Sequence, residues 1–230
     1  MTASTHHLPL RDRTVGDIAA TMPGATGIFR RFKLDFCCNG AVVLKEAARQ
    51  QGIDVADVVQ ELSTLEGLES VTPAFYQTSD LIDHILSRYH ETHRRELPEL
   101  VRLARKVEAV HADHPQSPHG LGDLLKQMLG ELEVHMRKEE LILFPAMRRR
   151  LEGRLDVPIA QMRHDHNDHG EHLQRLKELT DNFTLPDGAC RSWQALYAGS
   201  AKLAQDLMEH IHLENNVLFP RYEERRQERN

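Results

Sequence analysis

The stretch His135-Met136-Arg137-Lys138-Glu139-Glu140-Leu141-Ile142-Leu143-Phe144-Pro145 occurs twice in this chain. Seventy-five residues later comes His210-Ile211-His212-Leu213-Glu214-Asn215-Asn216-Val217-Leu218-Phe219-Pro220. Both copies read His-x-x-x-Glu, then four residues, then Phe-Pro. On a helix that step sets an imidazole and a carboxylate on one face, about 5–6 Å apart at Cβ. Such a pair can grip one metal ion, and two copies predict two pairs facing each other.

The rest of the chain repeats with the motif. His90 and His93 are matched 76 residues on by His166 and His169. Each half is then a hairpin of a His helix, a loop and a His-x-x-x-Glu helix. Matching units of this kind tend to pack about a rotation axis. One His-x-x-x-Glu alone is ordinarily a surface ion pair, and the Leu-Phe-Pro after it is ordinarily core. Duplication of the motif with a matched histidine pair upstream is what predicts a dinuclear site. Imidazole with carboxylate suits iron, zinc, copper or nickel, and the lack of thiolate ligands argues against a structural zinc or a cluster. Carboxylates are the natural bridges and imidazoles the natural terminal ligands. Spacing does not choose between His90 and His93, or between His166 and His169, because both members of each pair border the apolar stripe. His84, His164 and His172 lie off the duplicated positions and read as outer or surface residues. His111, His114 and His119 fall in a Pro-rich loop and read as surface.

Four long helical patterns carry these residues: about 79–110, with Pro98 expected to kink it or mark a local adjustment, then 120–151, 157–182 and 190–225. With short connections they predict an all-α, up-down-up-down four-helix bundle. Before it, residues 14–66 read as a small helical domain. Thr14 and Asp54 are its N-caps, and Asn39-Gly40 is a turn signal. Residues 1–13 read as a disordered tail, 67–78 as a linker, and 79–230 as the bundle. A helical module of about 50 residues is marginal alone, so it is expected to pack on something else or to form a homodimer.

Composition excludes several classes. Acids exceed Lys plus Arg by 6 in 230 residues, with no basic stripe, so nucleic acid is not a partner. No apolar run reaches the roughly 18 residues a bilayer needs, and the first residues lack a signal-peptide core. A cytoplasmic protein without membrane attachment is expected. Three cysteines, two of them adjacent, make no disulfide framework. A disulfide between neighbours is strained and labile, and a thiol at a turn is placed to react. Cys37 and Cys38 therefore read either as a redox pair or as small core residues. Cys190, beside Trp193, reads as structural.

Phe36-Cys37-Cys38-Asn39-Gly40, Arg88-Tyr89-His90-Glu91-Thr92-His93-Arg94, His135-Met136-Arg137-Lys138-Glu139-Glu140 and Leu213-Glu214-Asn215-Asn216-Val217-Leu218-Phe219-Pro220 together resemble the repair-of-iron-centres proteins, the ScdA/YtfE/DnrN/NorA group. The likeness runs from Thr14 to Arg221. It implies a ScdA-type N-terminal domain before a haemerythrin-like bundle holding two non-haem iron ions, bridged by carboxylate and oxo groups. Carried over position by position, the terminal ligands are His90, His135, His166 and His210, and the bridges are Glu139 and Glu214. The likeness also implies a role in the nitrosative and oxidative stress response: iron donation to damaged iron–sulfur proteins, nitric oxide binding, and a redox or iron-handling part for Cys37 and Cys38. Two positions depart from the pattern, Asp165 beside His166 and His169 in place of a small residue. His93, Glu131, Asp165 and His169 are candidates for an outer shell or a proton and iron relay, with Glu133 nearer to solvated surface. Two other functions use the same centre: an enzyme coupling nitric oxide to nitrous oxide, and a carrier or sensor of oxygen or nitric oxide.

Overall fold

The computed structural model describes residues 8–65, 77–149 and 155–223. Among them are eight helices and no strand, only an isolated antiparallel bridge between Thr14 and Val43. The first seven residues of the expected tail at 1–13, nearly all of the expected linker, and the predicted helical ends beyond 149 and 223 lie outside the described residues.

Contacts divide the chain into two compact units, residues 1–77 with 211–230, and residues 78–210. In the first, Leu10–Asp12 form a 3₁₀ turn. Arg13 is buried, with its guanidinium donating to Asp17 at 2.8 Å and to Thr21, so folded structure begins upstream of Thr14. Helix α1 (Val15–Thr21) starts where Thr14 Oγ1 accepts from the Asp17 amide at 3.2 Å. Helix α2 (Ala25–Arg31) follows Gly24, whose φ of +88° suits a residue without Cβ. Helix α3 is Leu44–Gln50. Helix α4 (Val55–Ser63) is capped by Asp54, which accepts from the Ala56 amide. Val15, Ile18, Phe29, Leu34, Phe36, Leu44, Val58 and Leu62 are buried together. Each contributes about 1.5–3 kcal/mol by leaving water.

Residues 211–223 belong to the same unit. Asn215 Nδ2 donates to the Cys37 carbonyl and Asn216 Nδ2 to the Phe36 carbonyl, both at 2.9 Å. Asn216 is lodged against two glycines. A Cβ on Gly40 would stand 2.2 Å from its Oδ1, and one on Gly16 2.5 Å. The turn predicted at Asn39-Gly40 is thus demanded by close approach, since Gly40 is not at positive φ.

The second unit contains three of the long helices and most of the fourth. Helix α5 spans 78–110, α6 spans 121–148, α7 is Asp156–Leu179, and α8 spans 191–218 before a last turn at Pro220–Glu223. They run up-down-up-down. Three contain a widened π turn: Ile85–His90 in α5, Glu139–Leu143 in α6 and Leu213–Leu218 in α8. The Phe144 amide donates to the Glu139 carbonyl and the Phe219 amide to the Glu214 carbonyl, five residues back in each case. That extra residue lets Pro145 and Pro220 follow. A proline lacks the amide for an ordinary helical bond and clashes with the carbonyl four residues behind. The helix continues through Pro98 without interruption, and the irregular turn of α5 lies upstream of it. Helix α7 ends where Asp181, Asn182 and Phe183 turn left-handed.

His111 and His114 are not bland surface. Their rings pack at 4.9 and 5.2 Å from the buried Trp193, and His111 Nε2 lies 3.1 Å from Cys190 Sγ, which fits a structural Cys190. No helix among the described residues is long and apolar enough to cross a membrane.

Candidate metal centre

His90 ends the π turn of α5, His135 and Glu139 lie on α6, and His166 lies on the unbroken α7. His210 precedes Glu214 by one turn of α8. All six are buried. They form two groups that share both carboxylates. One is His90, Glu139, His210 and Glu214; the other is His135, Glu139, His166 and Glu214. Within each group the ligand atoms lie within 4.8 Å of one another.

The donor geometry fits a metal pair. His90 Nε2 and His210 Nε2 are 3.2 Å apart, and so are His135 Nε2 and His166 Nε2. Two nitrogens about 2.1 Å from one ion at a near-right angle stand about 3 Å apart. Glu139 directs one oxygen to each group, Oε2 to His90 Nε2 at 3.4 Å and Oε1 to His135 Nε2 at 3.3 Å. Neither oxygen has a hydrogen-bond donor, and the side chain is fully buried. A buried carboxylate in that state is costly unless a cation meets it.

Outer residues set the imidazoles. Glu140 Oε1 accepts from His90 Nδ1 at 2.8 Å, which leaves Nε2 as the inward lone pair. Arg94 donates to both Glu140 oxygens, at 2.7 and 3.2 Å, and to Glu133 at 2.8 Å. Burial would raise the Glu140 carboxyl, but the bonds from Arg94 and His90 outweigh it and hold it below its ordinary value. Asp165 Oδ2 lies 3.3 Å from His135 Nδ1 and accepts from Lys138 at 2.8 Å, while Gln161 donates to its Oδ1. Burial opposes ionisation there too, and the bonds from His135, Lys138 and Gln161 drive the carboxyl well below the usual range. Tyr89 stacks flat on His210, with centroids 5.4 Å apart.

His93 and His169 are buried beside the centre but belong to neither group. Burial, with the charges of His210 and His90, pushes His93 well below its ordinary value. Burial, with His135 and His166, pushes His169 down to about 2. Glu131 lies apart, clustered with His169 and His172. Glu133 pairs with Arg94 and Arg137. His164 is exposed, whereas His84 packs edge-on against Tyr89. The sequence reading missed Glu140 and Arg94. Their signal was the doubled Glu139-Glu140 and an arginine one turn after His90.

Cys37 and Cys38 form a further cluster with Asp35. The thiols stand 3.6 Å apart with no disulfide, and Cys37 Sγ is 3.3 Å from Asp35 Oδ1. That oxygen also accepts from the Cys37 and Cys38 amides. The two readings of this pair divide between its members, since Cys37 is buried and Cys38 is partly exposed. The Cys38 thiol, burial and the Asp35 charge all push the Cys37 thiol up, so its thiolate is disfavoured.

Comparison with known proteins agrees with this architecture. Residues 81–222 match the hemerythrin HHE cation binding domain, and residues 11–66 match ScdA_N, a domain of unknown function. The iron-sulfur cluster repair protein YtfE of Dickeya chrysanthemi is 46% identical over 213 residues, covering 92% of this chain and 96% of the relative. The proteins of the same name from Edwardsiella ictaluri and Yersinia pseudotuberculosis are each 45% identical over the same shares. With both domains matched in order and nearly the whole length aligned, the chain belongs to the iron-sulfur cluster repair protein YtfE family.

Proposed function

We propose that this chain is a non-haem di-iron protein that repairs damaged iron–sulfur clusters by giving up iron, and that it binds nitric oxide, as part of a nitrosative and oxidative stress response. His90 and His210 would hold one iron and His135 and His166 the other, with Glu139 and Glu214 shared between them. The observation that carries this reading is the pair of buried groups sharing two carboxylates, in a chain whose relatives are named for cluster repair. When bound, the iron pair supplies open coordination positions for a small diatomic ligand and ferrous ions for transfer.

The protein's own part is positional. Glu140 and Asp165 accept from the Nδ1 side of His90 and His135, so each ring offers Nε2 inward. Glu139 offers one oxygen to each group. Imidazole and carboxylate ligands are lost as they protonate, so affinity falls with pH and iron can be surrendered. Of the two thiols, the partly exposed Cys38 is the one able to meet a client or a reductant.

The test loads the full chain with ferrous iron without oxygen. It then measures metal content, the Mössbauer spectrum, and recovery of a nitric-oxide-damaged cluster enzyme. Two irons per chain and recovery with wild type, both lost in Glu139→Leu, are expected. Fewer than two irons after loading would end the di-iron assignment. Sustained nitrous oxide production with a reductant, without recovery of the client, would replace donation by nitric oxide reduction.

A further inference from the structure

Beside the bundle centre, α6 and α7 form an open cavity of roughly 420 Å³ whose wall includes Gln127, Glu131, His135, Asp165 and His169. Glu131 comes from α6. His169 comes from α7, and His172 follows it by three residues on the same helix. Each of the three offers one ligand atom, all within 4.8 Å of one another, and His172 Nδ1 is 3.5 Å from Glu131 Oε2. His169 is 3% exposed, and its Nε2 is buried without a hydrogen-bond partner. His172 Nδ1 is likewise buried and without one. Two imidazole nitrogens held from water, next to a carboxylate at a cavity, make no hydrogen bond to a protein group.

We propose that Glu131, His169 and His172 form a third metal site, for a single divalent transition-metal ion, at the wall of this cavity. Two imidazoles and one carboxylate suit first-row metals and leave further positions on the cavity side for water. Outer contacts fit the assignment. Gln127 donates to Glu131 Oε1 at 2.9 Å and lies 3.3 Å from His172 Nε2. With an ion on Nδ1, Nε2 carries a proton, so Gln127 keeps its bond to Glu131 and its 3.3 Å contact with the ring opens. Lys138, also at the cavity, is held by Asp165 at 2.8 Å. The site shares no ligand with the two groups of the bundle centre. It is joined to them by the edge-to-face contact of His169 and His135, 5.1 Å between centroids. It therefore goes beyond the di-iron reading and stands whichever metal fills that centre.

The experiment titrates cobalt(II) without oxygen into the iron-loaded full chain. Cobalt d–d absorption is followed, and iron and cobalt are counted in the same sample. One cobalt per chain with iron retained is expected. His172→Ala should weaken cobalt binding more than 100-fold, beyond the roughly 10–100-fold typical of losing an outer partner, with iron content and spectrum unchanged. Glu131→Gln, which keeps the shape of the side chain, should also lose tight cobalt binding. No cobalt bound above the iron count, cobalt replacing iron one for one, or cobalt bound equally by His172→Ala would each overturn the proposal. A chain that fails to load iron but still binds one cobalt, in a manner dependent on His172, would fail the di-iron reading while supporting this one.

Discussion

Removing Glu140 separates the orienting of a ligand from the stabilising of a fold. Glu140→Ala takes away the acceptor of His90 Nδ1 and one partner of Arg94, which keeps Glu133 at 2.8 Å. Glu140 and Arg94 side chains are 27% and 34% exposed, so their pairing is partly screened. Its loss should change the unfolding free energy of the metal-free protein by no more than about 1 kcal/mol. The effect on iron should be larger. An imidazole without its carboxylate is less basic and freer to turn, and outer partners of this kind are worth about 10–100-fold in metal affinity, or about 1.4–2.7 kcal/mol. Competition against a ferrous chelator without oxygen measures the first quantity, and urea unfolding of the metal-free chain the second. Glu140→Gln, which keeps an acceptor but not the charge, should fall between. Iron affinity within about twofold of wild type would refute the orienting role. A fall in metal-free stability equal to the loss in binding would reduce Glu140 to a structural residue.

Glu139→Leu should unfold at higher denaturant than wild type when both are metal-free, because replacing an uncompensated buried carboxylate by an apolar group is neutral or stabilising by about 1–4 kcal/mol. A less stable variant would contradict the orphaned state of its oxygens. Gly40→Ala forces Asn216 out of its place, 2.2 Å from the new Cβ, and breaks its bond to the Phe36 carbonyl. Overpacking of about 1–3 kcal/mol with about 1 kcal/mol for the bond should lower the urea midpoint. Asp206 is buried and bound by Arg88 and Lys202. Burial raises its carboxyl, but those bonds win and hold it below 3.8. Its stabilisation is complete above that ordinary value and is lost as pH falls through the lower folded one. Asp206→Asn should therefore cost about 1–3 kcal/mol at neutral pH, with wild type and variant converging below about pH 3.8 in pH-dependent unfolding.

The helices, their caps and the duplicated ligand helices were legible in the sequence because they rest on local rules. Thr14 and Asp54 cap where their side chains can accept an amide, and His135 and Glu139 share a face because four residues make about one turn. The choice of His90 over His93 was not legible by spacing. The π turn at Ile85–His90 adds a residue and shifts the phase of everything after it, so a wheel of 3.6 residues per turn misplaces one member of the pair. A clue did lie in the opening motif. Glu139 to Phe144 and Glu214 to Phe219 are five-residue steps, the span of a π hydrogen bond, and each ends at a proline that an ordinary helix interior rejects. Which reading holds for Cys37 was not legible, because its burial depends on packing between residues far apart in sequence.

The duplication also explains why the two metal positions are not copies. Tyr89 and Asp165 are equivalent by the 76-residue offset, and each precedes its helix's ligand. Each attends the other histidine of its own group, yet Tyr89 stacks on His210 whereas Asp165 faces His135 Nδ1. Glu140 and Asn215 are equivalent by the 75-residue offset, and each follows a shared carboxylate. Glu140 orients His90, while Asn215 donates to the Cys37 carbonyl. The inner donors keep the repeat because two ions need equal sets. The outer positions have diverged because one tunes an imidazole and the other ties the Cys-Cys loop to the turn that carries Glu214. Strain or oxidation at Cys37 and Cys38 is thus one hydrogen bond from the residue next to a shared carboxylate, whereas Glu139 has no such link. Of the two shared carboxylates, Glu214 is the one whose chain neighbour is bonded to the Cys-Cys loop.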